Sequence, residues 1–486
     1  MEACDNIQGE DEMEPLISQL ENITVEEETQ GKNRDHKGSI RVVLLSTAFA
    51  LCGSFIYGFC VHYTSPTESA IREDLNLSLP QYSVFASMLA IGAMLGALTC
   101  GYLTDFIGRK GAMSVSAVFC IVGWLAICFA KGALLLDIGR MCTGYGSGVF
   151  SYVVPVFIAE IAPKDLRGGL MTMNELMRIV GGSICYLLGT VVTWRILALA
   201  GGGLTPSFIL LLGMIVVPES PRWLAMNGRH KEFEAALQRL RGKDADISFE
   251  AAEIKEYIET LQCMPRSRML DLFQRRYLYS IIVGVGLMVL KQLGGISAIN
   301  SYASEILILS GFSSGNMGTI VIACSQIPVT ILGVILMDYS GRRPLLLVSA
   351  IGTLGGNILM GFSFYLKDHD MLLNWVPNLV LTGILLFLWS YTLGMAPISW
   401  IILTEIFPIN IKATAGSLAT WVNWFISWLV SYTFNFLLSW SSSGPFFLFS
   451  GIGIATVLFV AKLVPETKRQ TLEEIQAAMN AFNAQH

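Results

Sequence analysis

Runs of about 20 apolar residues recur along this chain, each long enough to cross a bilayer hydrocarbon core about 30 Å thick. Twelve such stretches lie near 40–62, 82–104, 111–131, 134–160, 170–190, 195–217, 277–303, 315–338, 343–365, 376–402, 413–438 and 444–464. One soluble core could not hide so much apolar surface, because 53% of the 486 residues are hydrophobic and only 14% are charged. The expected fold is an all-α polytopic membrane protein with twelve transmembrane helices.

The charged residues then assign sides. Lys37, Arg41, Arg109, Lys110, Arg167, Arg222, Arg229, Arg275, Arg276, Arg342, Arg343, Lys468 and Arg469 fall on loops and termini of one face, against Arg72, Lys131, Arg195 and Lys367 on the other. By the positive-inside rule both termini and the 218–276 linker are expected in the cytosol. That linker contains "HKEFEAALQRLRGK", which suits either a small amphipathic bundle beneath the membrane or a plain hinge. The formal charge of -5 comes largely from an acidic leader, residues 1–37, expected to be disordered. It lacks the basic start and apolar middle of a secretory signal peptide. The ten cysteines fall mostly singly inside apolar runs, where a thiol acts as a small hydrophobe and not as a disulfide framework or zinc site.

Three motif pairs repeat in the same order. "GYLTDFIGRK" at 101–110 is echoed by "VILMDYSGRR" at 334–343, "EIAPKDLR" at 160–167 by "EIFPINIK" at 405–412, and "VPESPRWL" by "VPETKRQTL". The steps are 233, 245 and 247 residues. Such regularity implies two six-helix halves, 38–217 and 277–464, related by an axis along the membrane normal. A site between them near the midplane, the 218–276 cytosolic linker and a 465–486 cytosolic tail complete the expected organisation.

These residues, with "DIGRMCTGYGSG" around Arg140, "WR" at Trp194 and Arg195, "PESPR" at 218–222, "KQLGGISA" and "APISWIILTEIFP", resemble the sugar porters of the major facilitator superfamily. "SPTESAIREDLNLSLPQYSVF", "QIPVT" at 326–330 and "AGSLATWVNWFISW" are most similar to the plant early-responsive-to-dehydration-like monosaccharide transporters. The resemblance implies the major facilitator fold and a monosaccharide carried by alternating access. Its rival, a transporter-like sugar sensor or non-transporting paralogue, would bind sugar without flux. No arrangement of nucleophile and base, metal-ligand cluster or phosphate-cradling glycine loop points to an enzyme. Neither a cofactor nor a nucleic acid is expected as partner; the bilayer and the sugar are.

Asp105, Arg109, Glu160, Arg167, Glu219, Arg222, Arg342, Arg343 and Glu405 stand where helices leave the membrane on the expected cytosolic face. Taken singly, each reads as topogenic charge or helix cap. Their repetition in both halves favours a bistable gating latch that bridges the halves when that side is shut. Exposed ion pairs are worth about 0–1 kcal/mol, so only a network could shift populations. Lys412 stands where the family usually has arginine, and it cannot make a planar two-point contact.

A neutral, hydroxyl-covered sugar needs amide and hydroxyl partners and an aromatic face. By the resemblance, Gln292, Gln326, Trp400 and Asn423 match the sugar-contacting or cavity-lining positions, with Trp424 just beyond and Tyr302 near the outer gate. A membrane tryptophan is otherwise packing or an interface anchor, whereas a mid-depth amide more often has an interhelical or ligand partner. The chain departs from the family's pattern at several places. Glu175 replaces a usual glutamine, Arg178 an apolar residue, Lys291 a glutamine and Ser297 an asparagine, while Ala396 and Ser399 give the tenth span less licence to bend. Charges at mid-membrane cost about 2.5–3.5 kcal/mol, so partners are expected. Lys291 is expected to answer Glu175 across the cavity, with Arg178, three residues on, as a competing partner. The set would take a neutral sugar, prefer an anionic one, or close the site; outward snorkelling is the bland alternative.

Proton-coupled relatives carry an acid in the first helix opposite the helix-four arginine. "YGFCVHY" at 57–63 has none, so facilitated diffusion is expected, with a proton-coupled symporter as the alternative and His62 as a different route. "EMEPLI" at 12–17 fits an acidic dileucine-type sorting signal, with a sorting adaptor as its partner and the vacuolar membrane expected ahead of the plasma membrane. The sequon at Asn76 lies in a very short non-cytosolic loop, while Asn22 lies in the cytosolic leader and should be unmodified.

Overall fold

The computed structural model describes residues 40–201, 204–243, 245–263, 272, 274–312, 315–407 and 411–467. The leader with its "EMEPLI" and Asn22, Lys468 and Arg469 in the tail, and the side chains of Asp338, Lys412, Arg275 and Arg276 lie outside the described residues. The described elements are helical, and nine stretches are long and apolar enough to cross a membrane. One of these, α3 (Leu79–Cys128), is two helices joined back to back at Gly108, whose φ of 81° and ψ of 173° break the spiral. Two further helices, α5 (Lys164–Gly189) and α16 (Lys412–Trp440), have 26 and 29 residues but are too polar to be counted among the nine. With α3 counted twice and these two added, the chain crosses twelve times, in two halves of six.

The first half comprises α1 (Arg41–His62), a short α2 (Thr64–Leu75), α3, α4 (Ala133–Ile161), α5 and α6 (Leu204–Val216), which is entered through a wide turn at Leu197–Gly201. Residues 64–75 lie between the first two apolar runs. They form a helix because Ile71 and the small polar Thr64, Ser65 and Thr67 all pack inward. The linker holds α7 (Pro221–Met226), α8 (His230–Arg241) and α9 (Ser248–Cys263), whose Trp223, Leu224, Phe233, Leu237, Ile254 and Ile258 share a small core of their own. It is a packed bundle and not a plain hinge. Arg239 donates to Val216 O at 2.8 Å and Arg241 to Ile161 O at 2.9 Å, so its cations cap the carbonyl ends of α6 and α4.

The second half comprises α10 (Arg275–Leu293), α11 (Ile296–Leu309), α12 (Gly315–Tyr339), α13 (Arg342–Asp368), α14 (Val376–Ser390), α15 (Ala396–Ile406), α16 and α17 (Gly444–Leu463). A wide turn, Tyr391–Met395, sits between α14 and α15. The tenth span therefore does depart from a regular helix, one turn before the "APISW" segment that was expected to stiffen it. Pro397 has no amide hydrogen, and Ala396 N–H reaches back five residues to Tyr391 O.

Lipid supplies no driving force between helices, so close backbone approach holds the helices of each half together. A Cβ on Gly144 of α4 would lie 2.2 Å from Leu89 O of α3, which only glycine tolerates. The halves meet each other through α3 against α16 and α5 against α12.

Candidate functional site

All three repeated motif pairs meet at the linker-side ends of the helices, once in each half. In the first half Arg109 donates to Glu160 through Nε at 3.0 Å and Nη2 at 2.9 Å, and Ser220 Oγ donates to the same carboxylate at 2.5 Å. Glu219 accepts from Lys110 N at 3.2 Å and Ser220 N at 2.8 Å, and a Cβ on Gly108 would stand 2.4 Å from its Oε2. Burial pushes the Glu219 carboxyl above the usual range, and these backbone donors oppose that shift. In the second half Glu466 accepts from Arg342 N at 2.9 Å and Arg343 N at 3.1 Å, a Cβ on Gly341 would stand 2.4 Å from it, and Arg342 pairs with Glu405 at 3.6 Å. The pairs described among these residues join partners within one half. Asp105 lies 3.9 Å from Arg109, and Arg222 covers the ring of Tyr257 at 5.6 Å. Arg167 lies on the first turn of α5. Glu466 is a member that sequence reasoning missed, although it is the echo of Glu219 in "VPET".

The end remote from the linker is shut by bonds between the halves. Tyr302 leaves helical geometry, with φ -128° and ψ 17°. In a regular helix Ser304 N–H would bond Asn300 O. Here Ser304 N–H donates to Ser65 Oγ at 3.0 Å and Asn300 O accepts from Tyr186 Oη at 3.0 Å, both from the first half. Asn435 adds a bond to Ser83 Oγ at 3.1 Å. All three of these hydrogen bonds cross between the halves.

The polar centre lies between those two ends. The chain breaks after Leu293, where Gly295 takes a φ of 100° and Asn357 Nδ2 donates to the freed Gly294 O at 3.1 Å. The break turns Ser297 back on Gln292. Its hydroxyl meets Gln292 Oε1 at 2.8 Å and Ser427 Oγ at 2.8 Å, and Gln292 Nε2 donates to Asn423 Oδ1 at 2.9 Å. The serine that replaces the family's usual asparagine thus ties α10, α11 and α16 into one polar chain. Gln326 Oε1 accepts from Thr392 at 3.4 Å. Asn423 and Gln326 keep their amide hydrogens without a partner among the described residues.

Facing this chain from α5, Glu175 is held by Arg178, whose Nε lies 3.1 Å from each carboxylate oxygen and whose Nη2 closes the fork. Lys291 was expected as the partner of Glu175, but Arg178, three residues on along the same helix, takes the carboxylate. Arg178 lies 6.0 Å from the ring of Tyr57, which meets Trp424 edge-on at 6.1 Å, so an aromatic contact spans from α1 to α16. Lys291 is 5% exposed, sits 4.9 Å from the ring of Trp400, and has no ion pair or side-chain hydrogen bond among the described residues. It is near enough for its charge to act on Glu175. Trp400 is 37% exposed, which leaves indole surface for a ligand.

Two other marked residues are accounted for by packing. His62 Nδ1 contacts Gly58 O of its own helix at 2.8 Å and its ring meets Tyr186 edge-on. Arg140 is buried, with Nε and Nη1 lacking a partner, and lies 5.8 Å and 5.5 Å from the rings of Tyr63 and Phe85.

Two six-helix bundles, closed at one end over a centre of amides, hydroxyls and compensating charges, define a polytopic membrane protein of the transporter class. The family described as "Sugar (and other) transporter" matches residues 13–479. The chain belongs to this family, as a sugar porter of the major facilitator superfamily. It is 56% identical over 452 residues to sugar transporter ERD6-like 16 of Arabidopsis thaliana, covering 93% of each chain. It is 54% identical to ERD6-like 7 of the same plant, covering 90% of this chain and 94% of that one. Among solved structures, the partially occluded inward-open form of the xylose transporter XylE from E. coli matches with a TM-score of 0.74 and 25% identity, over 89% of this chain and all of the other.

Proposed function

We propose that this protein carries a monosaccharide across a membrane by alternating access, as facilitated diffusion, with the linker face in the cytosol and the vacuolar membrane as its home. The observation that carries the reading is the contrast between one end and the centre. The end remote from the linker is closed by bonds that use backbone groups freed by the Tyr302 kink, while unspent amide donors and an exposed indole face remain in the centre. Hydroxyls of a sugar would take the hydrogens of Asn423 and Gln326, and its C–H face would lie on Trp400. The relatives named as sugar transporters, and the xylose transporter among the solved structures, support a monosaccharide as cargo.

Glu175, Arg178 and Lys291 set the charge of that centre. With Glu175 committed to Arg178, the salt bridge presents little net charge, and Lys291 is the donor left to a sugar oxygen. The linker-side clusters make each half a rigid body: Arg109 with Glu160 and Glu219 in one, Arg342 with Glu405 and Glu466 in the other. Their part in gating is to keep the helix ends together while the halves tilt. Arg140 has aromatic faces and no acid beside it among the described residues, which supports movement down a gradient.

Counterflow in proteoliposomes over neutral and acidic monosaccharides tests the proposal. Accelerated exchange of a labelled neutral pentose or hexose is expected. Binding without flux would overturn it in favour of a sensor.

A further inference from the structure

The closed end contains two acids that the cavity does not use. Glu68 lies on α2, beyond the end of α1, and is only 5% exposed. Its carboxyl meets that of Glu305 on α11, in the other half. Both oxygens of Glu68 and Oε2 of Glu305 are buried with no donor among the described residues. The nearest cation is Arg72, one turn along α2, at 3.9 Å from Glu68 Oε1. From the other packed elements, Tyr82 of α3 and Tyr302 of α11 face Glu68, with Arg140 of α4 behind them. Both hydroxyls are already committed, Tyr82 Oη to Thr64 O at 2.7 Å and Tyr302 Oη to Ser431 O at 3.1 Å.

Two ionised carboxylates cannot share a buried contact without a donor between them, and the only donor that fits is a proton on one of them. With one shared proton the set of Glu68, Glu305 and Arg72 is electrically neutral; without it the set carries one negative charge.

We propose that Glu68 and Glu305 form a proton-binding site between the halves, which locks the end remote from the linker when protonated and releases it when the proton leaves. The position suits a lock, since Ser304, the residue before Glu305, also bonds across the halves to Ser65, about one turn before Glu68. Opening separates the carboxyls and wets them. One O–H bond is lost, both acids become carboxylates, and the proton passes to water on the same side from which it came. It therefore gates the carrier without driving it, which agrees with facilitated diffusion. Burial and the facing Glu305 raise the affinity of Glu68 for its proton above that of a free carboxyl. The sign follows: the closed end holds a proton that the open end does not, so closure is favoured by acid and weakens as pH rises through the range between the two affinities.

The proposal rests on the alternating-access reading, and hydrogen exchange on the full chain in lipid nanodiscs separates the two. Exchange of residues 64–75 and 296–309, corrected for the intrinsic effect of pH, is followed between about pH 5 and about pH 8, with Glu68→Gln and Glu305→Gln beside the parent. In the parent, exchange is expected to quicken by up to about tenfold per pH unit over part of this range. Either amide variant donates permanently to the remaining acid, so both segments should stay protected throughout. Opening that is independent of pH in the parent, or that keeps its pH dependence in both variants, overturns the lock and leaves the carrier standing. No opening at any pH, with or without sugar, overturns both.

Discussion

Replacing Lys291 by glutamine is expected to make the protein more stable, the reverse of what most buried substitutions do. The ammonium is almost wholly buried, lies 4.9 Å from the Trp400 ring and has no ion pair among the described residues, because Arg178 holds Glu175. A lysine at mid-membrane costs about 2.5–3.5 kcal/mol. A desolvated cation over an indole returns about 2 kcal/mol. The remainder, roughly 1 kcal/mol, weighs against the folded state and disappears when the charge is removed. For a chain of this size that amounts to a rise of roughly 1–2 °C in melting temperature. The assay is thermal unfolding of purified parent, Lys291→Gln and Lys291→Met, followed by intrinsic fluorescence. Methionine matches the length without hydrogen bonding, so it separates the loss of charge from any new amide contact. If instead Lys291 were the partner of Glu175, its removal would leave a buried carboxylate and cost about 3–5 kcal/mol. A melting temperature that falls in both variants would refute the reasoning. A residue retained against stability is one retained for the site, so the same variants should be impaired in transport.

Three further outcomes are expected. Gly144→Leu drives a side chain into Leu89 O, where even a Cβ would lie at 2.2 Å, and should yield aggregate in place of a single peak in size-exclusion chromatography. Arg109→Lys keeps the charge but loses the fork on Glu160, and denaturant unfolding should register a loss of about 1–3 kcal/mol. Asn423→Ala removes the acceptor of Gln292 and one unspent donor, and should raise the half-saturation concentration for sugar by about tenfold, or 1.4 kcal/mol, with little loss of folded protein.

The architecture was legible in the sequence wherever it rested on length, hydropathy or repetition. Twelve apolar runs and three echoed motifs implied two halves, and the echoes mark the residues that the fold brings together: Arg109 with Glu160, Arg342 with Glu405, and Gly108 and Gly341 with the glutamates of "VPES" and "VPET". Features set by neighbours in space were not legible. Residues 64–75 carry too little apolar periodicity to announce a helix, because their inward face is serine, threonine and glutamate apart from Ile71. The kink at Tyr302 exists because the other half takes the groups that it frees, and no local signal encodes that. The expected pairing of Lys291 with Glu175 failed because i,i+3 spacing lets Arg178 reach the same carboxylate from its own helix without bridging the cavity. Glu68 and Glu305 are separated by 237 residues in sequence and went unmarked, although each is an acid at the end of an apolar run.

The central claim is that the two halves rock as rigid bodies about the charged, amide-lined centre. It is tested most directly by pulsed electron paramagnetic resonance on spin-label pairs spanning the halves at each end, with and without a transported monosaccharide. The account predicts opposite changes, with distances lengthening at the α2–α11 end as they shorten at the linker end. Distances that change together at both ends, or that ignore a bound sugar, would contradict it.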